Sequence, residues 1–479
     1  MTTPAELHAL LPLPQEVELL DGSFTIGAQA HIVVPADPVG AGVGDQLVAD
    51  LQGICAVVLT RGASATPGDI ELVGAPERTD LGDEGYQLDV RSGGVRVVAR
   101  DAHGLWNGTR TLVQLVPRDG SPPTIPAMRI VDMPRFEWRG AMLDVARHFF
   151  NVDQVKRFIE LIARYKLNRL HLHLTDDQGW RIEVPGWPTL TAVGGDSAVG
   201  GDMGGWFSLR DYDEIVMHAS RHFVTIVPEV DMPGHTNAAL ASVPALNPDG
   251  VAPPSYHGKN VGFSSLHLDL PATRGFVADV LGTLADHTPG PYLHVGGDEA
   301  HATERTQYAS FIEYVQQVVT GLGRTMVGWE EIANVPLSER TLVQHWLHPD
   351  VAGGSTPGTR LIMSPARHTY LDMRHDEHDL LGRRWAGDID IDTAYEWDPA
   401  ALVPGVCDDR IAGVEAPLWT EKVHTFRQVE HLCFPRLLCL AEVGWTNQSL
   451  RSFDDARGRL AHQYQRLVAS GVNAAKRVG

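Results

Sequence analysis

Two adjacent carboxylates, Asp298 and Glu299, follow a pair of glycines in the segment 294–300. Paired carboxylates are the groups that usually cleave glycosidic bonds, one as proton donor and one at the anomeric carbon. Neighbours in a regular strand point to opposite faces, so these two cannot flank a bond symmetrically. They can meet different parts of one substrate only where the strand breaks into its loop. This favours a mechanism in which Glu299 handles the proton and Asp298 orients a nucleophile that the substrate itself supplies.

Other acids and aromatic residues follow the ends of further apolar runs. Flat aromatic faces suit the C–H side of a pyranose, and carboxylates and guanidinium groups suit its hydroxyls. One such residue at one strand end would be an ordinary loop charge or a core aromatic. Their occurrence at nearly every strand end indicates a carbohydrate site made of Arg147, Asp176, His235, Asp298, Glu299, Trp329, Trp346, Tyr370, Asp372, Trp385, Trp419 and Glu421.

The elements that must position these side chains alternate between strand and helix from residue 139 onward. Strands are predicted at 141–145, 169–174, 225–230, 292–295, 325–329, 342–346, 360–363 and 413–418. Alternating strands and helices imply parallel pairing. Eight such units predict a (β/α)₈ TIM barrel with its active site at the carboxyl ends of the strands. A doubly wound open sheet is the structural alternative.

Helix boundaries carry their own signals. Asn151 with Gln154 is a capping-box arrangement, and Ser208 with Asp211 opens a second helix. The last helix is predicted at about 453–470, where Gly471 can end it.

Residues 1–133 differ from the rest, because short β-type runs at 17–20, 31–34 and 56–59 precede a hairpin within 84–99 and a helix at 104–115. Prolines near 122–134 indicate a boundary. We therefore predict a small N-terminal α+β domain over residues 1–133 and a catalytic barrel over residues 134–479.

Composition narrows the possible partners. The 479 residues are 43% hydrophobic and 21% charged, with a formal net charge of −21. Nucleic acid and anionic membranes attract basic surfaces, so neither is expected as a partner. No run approaches the ~18 apolar residues of a membrane span. The four cysteines show no metal or redox spacing, and reduced, mostly buried thiols are expected.

The first 60 residues contain no Lys or Arg, and the apolar run 10–14 is too short for the core of a signal peptide. A cytoplasmic location is therefore expected, or a secreted one if a leader was removed.

Six segments, taken together and in order, resemble the family-20 glycoside hydrolases, the β-N-acetylhexosaminidases. They are MLDVARHFF (142–150), HLHLTDDQGWR (171–181), PEVDMPGH (228–235), HVGGDE (294–299), YLDM (370–373) and VEAPLWTE (414–421). The resemblance covers residues 139–450 and also implies an N-terminal α+β domain. It implies exo-acting, retaining removal of terminal β-linked GlcNAc or GalNAc through an oxazolinium intermediate. The expected partner is a small oligosaccharide or glycoconjugate, and no cofactor or metal is expected.

The resemblance also implies a role for each matching residue. Glu299 would be the general acid and then the base, while Asp298 and Tyr370 would bind the acetamido group. Asp176 and His235 would form a relay behind Glu299. The sugar would contact aromatic walls at Trp329, Trp346 and Trp419, polar groups at Arg147, Asp372 and Glu421, and an aglycone platform at Trp385.

The chain departs from some relatives in two loops. The stretch 247–267 has no cysteine, whereas several secreted relatives carry a disulfide there. The acidic run 376–379 also looks specific to this chain. It lies near the predicted aglycone side, so the leaving group stays open.

Two alternatives of other classes also fit parts of the pattern. Histidines and carboxylates at strand ends resemble the zinc site of a barrel amidohydrolase, with candidate ligands His171, His173, Asp176, His235, His294 and Asp298. A catalytically inactive sugar-binding protein is the other alternative, although both catalytic carboxylates are present.

Overall fold

The computed structural model describes residues 7, 10–35, 37–55, 59–118 and 122–477. The N-terminal part is a mixed sheet covered by helices α1 (Pro38–Gln52) and α2 (Ala102–Leu115). Its strands are β1 (Glu16–Thr25), β2 (His31–Val33), β3 (Thr60–Gly62), β4 (Ile70–Gly74), β5 (Tyr86–Arg91), β6 (Gly94–Ala99) and β7 (Thr124–Asp132). Among the described residues the strand order is β1-β7-β5-β6-β4-β2-β3. Residues 56–58 of the strand predicted at 56–59 lie outside the described residues.

Within residues 122–477, all of which are described, eight parallel strands form a closed barrel. They are accompanied by a small hairpin of β10 and β11. In chain order the strands are β8 (Trp138–Asp144), β9 (Arg169–His173), β10 (Thr175–Asp176), β11 (Gly179–Trp180), β12 (Thr225–Glu229), β13 (Tyr292–His294), β14 (Thr325–Trp329), β15 (Leu342–His345), β16 (Arg360–Met363) and β17 (Ile411–Leu418). Parallel pairing of β17 with β8 closes the ring. The predicted barrel is confirmed, and the open-sheet alternative is wrong.

Helices of very different lengths surround the barrel. They are α3 (Val152–Ala163), α4 (Thr189–Ala192), α5 (Leu209–Arg221), α6 (Asn237–Ser242), α7 (Pro271–His287), α8 (Arg305–Gly321), α9 (Pro349–Gly353), α10 (Ala366–Thr369), α11 (Ile391–Tyr395), α12 (Phe426–Cys433), α13 (Arg436–Trp445) and α14 (Phe453–Ala469). The capping boxes predicted at the starts of α3 and α5 are both formed. A 3₁₀ turn, Glu330–Asn334, connects β14 to β15, where a regular barrel would have a full helix.

The barrel interior is apolar in one layer and charged in the next. A small cluster separate from the main core consists of Trp138, Val227, Val327, Leu342, Ile362 and Ala412. The indole nitrogen of Trp138 donates to Glu415 at 2.9 Å, and Glu415 also meets His171 at 2.8 Å. The apolar layer therefore contacts the charged layer directly, and the charged layer lies nearer the carboxyl ends of the strands.

The N-terminal segment is tied to the last helices of the barrel by a buried ion pair. Arg459 Nη2 of α14 donates to Glu442 Oε1 of α13 at 2.7 Å, and both side chains are fully buried. The same two residues also form hydrogen bonds with the N-terminal segment. Leu13 N donates to Glu442 at 3.0 Å, and Arg459 donates to Leu10 O at 3.2 Å. This pair therefore joins the beginning of the described chain to its end.

All four cysteines are free thiols, and only Cys407 is exposed. Among the described residues, none of the helices has the length and apolar character needed to cross a membrane.

We expect Glu442→Gln to lower the free energy of unfolding by about 3–5 kcal/mol, because it leaves the Arg459 guanidinium buried without its main counter-charge. Urea denaturation followed by circular dichroism measures the loss. Lys156→Ala is the control, since it breaks the solvent-exposed pair of Lys156 with Glu214 and should leave stability close to that of the wild type. Equal losses in the two variants would contradict the importance of the buried pair.

Candidate active site

The chain leaves extended geometry directly after β13. Gly296 and Gly297 have φ angles of 65° and 96°, and Glu299 has a φ of 44°. A Cβ at Gly296 would lie 1.8 Å from Asp231 Oδ1, and the Gly297 amide donates to that oxygen at 3.1 Å. Glycine is therefore required where the loop passes Asp231. The left-handed conformation of Glu299 costs about 1–2 kcal/mol and is characteristic of functional sites.

This break in the strand brings Asp298 and Glu299 into one cleft of about 320 Å³. The cleft is lined by the predicted residues Arg147, His235, Asp298, Glu299, Trp346, Tyr370, Asp372, Trp385, Trp419 and Glu421. Lys259, Val261, Leu347 and Arg383 also line it, and these four were not predicted. Asp176 and Trp329 lie beneath the surface of the cleft, fully or almost fully buried.

His235 stands between the two carboxylates and a deeper acid. Its Nδ1 lies 3.3 Å from Asp176, and its Nε2 lies 3.6 Å from Glu299 and 3.7 Å from Asp298. Burial lowers the pKa of His235, but Asp176 and Asp298 outweigh burial and hold that pKa well above its usual value. The ring is therefore an imidazolium near neutral pH.

The two neighbouring carboxylates have opposite pKa shifts. Burial raises the pKa of Asp298 above its usual value, with partial compensation by His235. Burial also raises the pKa of Glu299, but His235 outweighs it and the net pKa is lowered. The Glu299 side chain is 31% exposed, whereas that of Asp298 is 10% exposed. Asp298 Oδ1 is buried and has no hydrogen-bond partner among the described residues.

Charged side chains on opposite walls could bind sugar hydroxyls. Arg147 is held by Asp176 at 2.6 Å and by Asp144 at 3.3 Å. On the other wall Glu421 pairs with Arg383 through Oε1. Among the described residues, neither oxygen of Asp372 has a hydrogen-bond partner, and neither does Glu421 Oε2. Because buried acceptors without partners are costly, these three oxygens are suited to hydroxyl donors from a ligand.

Aromatic rings form the remaining walls. Trp346 and Tyr370 are nearly parallel, at 6.2 Å and 15°. Trp385 stands perpendicular to both and is 46% exposed at the mouth. Trp329, which is expected to wall the sugar, lies deeper than the other aromatic residues of the site. Its side chain is 1% exposed and its indole nitrogen donates to Glu229 Oε1 at 2.9 Å. Its ring centroid lies 5.7 Å from that of Trp419. It therefore supports Trp419 from below.

Two models of one protein family together match most of the chain. The family model described as the glycosyl hydrolase family 20 catalytic domain matches residues 136–448, and the model of domain 2 of that family matches residues 7–133. The chain belongs to glycosyl hydrolase family 20.

Individual relatives are similar to this protein in sequence and in structure over nearly the whole chain. A β-N-acetylhexosaminidase of Cellulomonas fimi is 42% identical over 464 residues, which are 95% of this chain and 93% of that protein. The structure of Streptomyces plicatus N-acetyl-β-hexosaminidase in complex with Thio-NAglucal is 44% identical, with a TM-score of 0.94 over 100% of this chain and 98% of the other. The structure of the family 20 β-N-acetylhexosaminidase of Streptomyces coelicolor A3(2) is 43% identical, with a TM-score of 0.95 over 99% of this chain and 98% of the other. The predicted family and the prediction of a glycoside hydrolase are confirmed.

Membership of glycosyl hydrolase family 20 rules out the metal-dependent amidohydrolase alternative. The contacts of the histidines show what these residues bind instead. His171 binds Glu415 at 2.8 Å and Glu229 at 3.0 Å through its two ring nitrogens. His173 contacts Glu229 and, at 3.0 Å, Asp176. Burial lowers the pKa of His173, but Glu229 and Asp176 raise it to about 10. Both ring nitrogens of His171 and of His173 are thus engaged by carboxylates in a buried network.

The cleft residues missed by sequence analysis of this family 20 chain all lie in loops. Lys259 and Val261 belong to the cysteine-free stretch 247–267, Leu347 follows Trp346, and Arg383 lies two residues before Trp385. Only adjacency to a predicted aromatic could have indicated Leu347 and Arg383. Lys259 had no local signal.

We expect His235→Gln to shift the whole pH profile of kcat/KM upward by about 1 unit. The imidazolium lowers the pKa of Glu299 and partly offsets the rise at Asp298, so its removal raises both pKa values. The alkaline limb follows the acid and the acidic limb follows the carboxylate that must be ionised. His287→Gln, at an exposed histidine paired with Asp213, is the matched control. An unchanged or downward-shifted alkaline limb would show that His235 does not set the pKa of Glu299.

Proposed function

We propose that this glycoside hydrolase, an exo-acting β-N-acetylhexosaminidase, uses the 2-acetamido group of its substrate as the nucleophile. The observation that supports this most directly is that Asp298 and Glu299 are chain neighbours and both line one cleft. Retaining enzymes with a protein nucleophile place two carboxyl groups on opposite sides of the bond, about 5 Å apart. Neighbours on one loop are instead suited to a proton donor and a group that orients the substrate.

In the proposed first step Glu299 protonates the glycosidic oxygen while the acetamido carbonyl oxygen attacks C1. The C1–O bond to the leaving group breaks, and a cyclic oxazolinium ion forms. Asp298 accepts a hydrogen bond from the acetamido N–H, which stabilises the positive charge that develops there. Tyr370 donates to the acetamido oxygen. In the second step Glu299 takes a proton from water, which attacks C1 and restores the acetamido group with net retention.

The environment of Asp298 supports this division of labour. Its Oδ1 atom is buried without a partner among the described residues, while the opposite side of the carboxylate faces His235. An acceptor held in this way is already oriented and needs no rearrangement when the N–H of the substrate arrives. His235, held by Asp176, acts as a positioning residue for both carboxylates.

The remaining walls support binding of a single terminal sugar. Arg147, Asp372 and Glu421 would bind hydroxyls at the inner end of the cleft. Trp419 and Trp346 would cover the sugar and its acetamido group, with Trp329 as support from below. Trp385, at the exposed mouth, would contact the aglycone.

Solved relatives support the choice of substrate. A Streptomyces plicatus variant is in complex with the product GlcNAc, and a Vibrio harveyi exo-β-N-acetylglucosaminidase is in complex with N-acetylglucosamine. We infer that this chain acts on oligosaccharides or glycoconjugates that end in β-linked GlcNAc or GalNAc, such as chitooligosaccharides.

Glu299→Gln tests the acid role. We expect turnover of chitobiose to fall by about 10³-fold or more, because its sugar leaving group needs a proton. Turnover of an aryl β-N-acetylglucosaminide with an acidic phenol should fall much less in the bond-breaking step. Steady-state and burst kinetics on both substrates measure the difference. Equal losses on the two substrates would refute the assignment of Glu299 as the proton donor.

Asp298→Asn tests substrate assistance. We expect kcat on an aryl β-N-acetylglucosaminide to fall by about 10²-fold or more, since the variant loses the charge that stabilises the oxazolinium ion. The matched comparison is the aryl β-glucoside, which has no acetamido group and should be nearly inert with the wild type. Rapid cleavage of that glucoside, or normal rates in Asp298→Asn, would contradict the mechanism. Circular dichroism confirms that the variant is folded.

A further inference from the structure

A second cleft, of about 680 Å³, lies where α1 and α2 of the N-terminal domain face α3 and α5 of the barrel. Its lining includes Gln46 and Arg110 on one side and Glu160 and His222 on the other. It shares no lining residue with the catalytic cleft. The proposed mechanism gives this boundary no role.

Three side chains with metal-ligating atoms meet at the edge of this second cleft. His218 and His222 are four residues apart at the end of α5 and therefore lie on the same face. Glu160 projects from the neighbouring α3. One ligand atom from each of the three residues lies within 4.8 Å of the other two. His218 Nε2 and Glu160 Oε1 are 3.3 Å apart.

The hydrogen bonds around the two rings leave nitrogen atoms available for a ligand. His222 Nδ1 donates to the main-chain oxygen of His218 at 2.9 Å, which places the lone pair on Nε2. An Nδ1–H bond to a carbonyl is the usual way in which a ligating histidine is oriented. His218 Nε2 is buried and faces Glu160 Oε1 at 3.3 Å, with no other partner among the described residues.

We propose that Glu160, His218 and His222 bind one divalent ion of the zinc class. Two imidazoles and one carboxylate are a common protein ligand set for zinc, with a fourth position open to water. Ligand atoms about 2.0–2.1 Å from a tetrahedral zinc ion lie about 3.3 Å from each other, as His218 Nε2 and Glu160 Oε1 do. Imidazole and carboxylate together favour zinc over calcium or magnesium.

The ion would stabilise the contact between the two domains. It links α3 to α5, the two barrel helices that face the N-terminal domain. The His222 ring also meets the edge of Trp106 in α2 at 5.6 Å. Fixing His222 would therefore fix the surface against which α2 packs. The fourth position on the ion would face the cleft, where water or a small anion can complete the coordination.

The competing explanation is a simple ion pair between Glu160 and a protonated His218. It explains the 3.3 Å separation and the lowered pKa of Glu160, whose largest cause is the hydrogen bond from His218. It does not involve His222, whose ring is oriented by its bond to the His218 carbonyl and by its edge contact with Trp106. The two explanations differ in one measurable property, because only the metal site requires zinc to bind through all three side chains.

The test is calorimetric titration of ZnCl₂ into the chelator-treated full chain. We expect one ion per chain at this site, with affinity reduced at least tenfold in His218→Ala, in His222→Ala and in Glu160→Gln. His431→Ala is the matched control, since it alters a different cluster, with His375 and Asp379, and should leave this binding unchanged. Absence of zinc binding, or equal binding in the wild type and all three site variants, would overturn the proposal.

A second measurement does not depend on the variants folding. Crystals of the wild-type chain soaked in ZnCl₂ should show an anomalous peak at the zinc edge between Glu160, His218 and His222. Zinc should also raise the thermal melting midpoint of the wild type and of His431→Ala. Anomalous peaks only at other histidine clusters would refute the site.

Discussion

The buried carboxylate of Glu229, at the end of β12, is the charge on which the barrel interior depends. It contacts His173, meets His171 and His294 at 3.0 Å each and accepts from the Trp329 indole. An isolated carboxylate in this position would cost several kcal/mol, so the surrounding donors are a condition of the fold. Through His173 the network continues to Asp176, then to His235, and so reaches the catalytic cleft. The contacts that neutralise the buried Glu229 carboxylate are therefore continuous with those that orient Glu299.

Sequence patterns predicted the barrel and most of its site because strand ends are fixed by backbone geometry. Parallel strands buried on both faces read as apolar runs, and their carboxyl ends must share one rim. Trp419 follows β17 directly and Asp298 follows β13 within four residues, so their convergence needed little knowledge of loops, whereas Tyr370 comes after the short helix α10. The helix starts at Asn151 and Ser208 were predictable for a local reason, since a capping box is complete within four residues.

Features that depend on distant parts of the chain could not be predicted in this way. The depth of Trp329 follows from barrel register, because it is the last residue of β14 and points towards Glu229. The need for glycine at positions 296 and 297 depends on Asp231, 66 residues before Gly297. Arg383 reaches Glu421 from an irregular loop with no periodicity to indicate its direction. Each case requires a three-dimensional contact that no local pattern encodes.

The opposite pKa shifts of Asp298 and Glu299 follow from the balance between burial and His235, which differs between the two carboxylates. Asp298 is already buried in the free cleft, so a ligand removes little further water from it. Glu299 is partly exposed, and in the free cleft His235 favours its ionised form. A sugar held under Trp346 and Trp385 would exclude water from Glu299, and desolvation of a carboxylate raises its pKa by several units. Occupancy would thus favour the protonated acid when a glycosidic oxygen is present to receive the proton. Two adjacent residues acquire different chemistry because the substrate removes water from Glu299, whereas it brings a hydrogen-bond donor to Asp298, which is already buried.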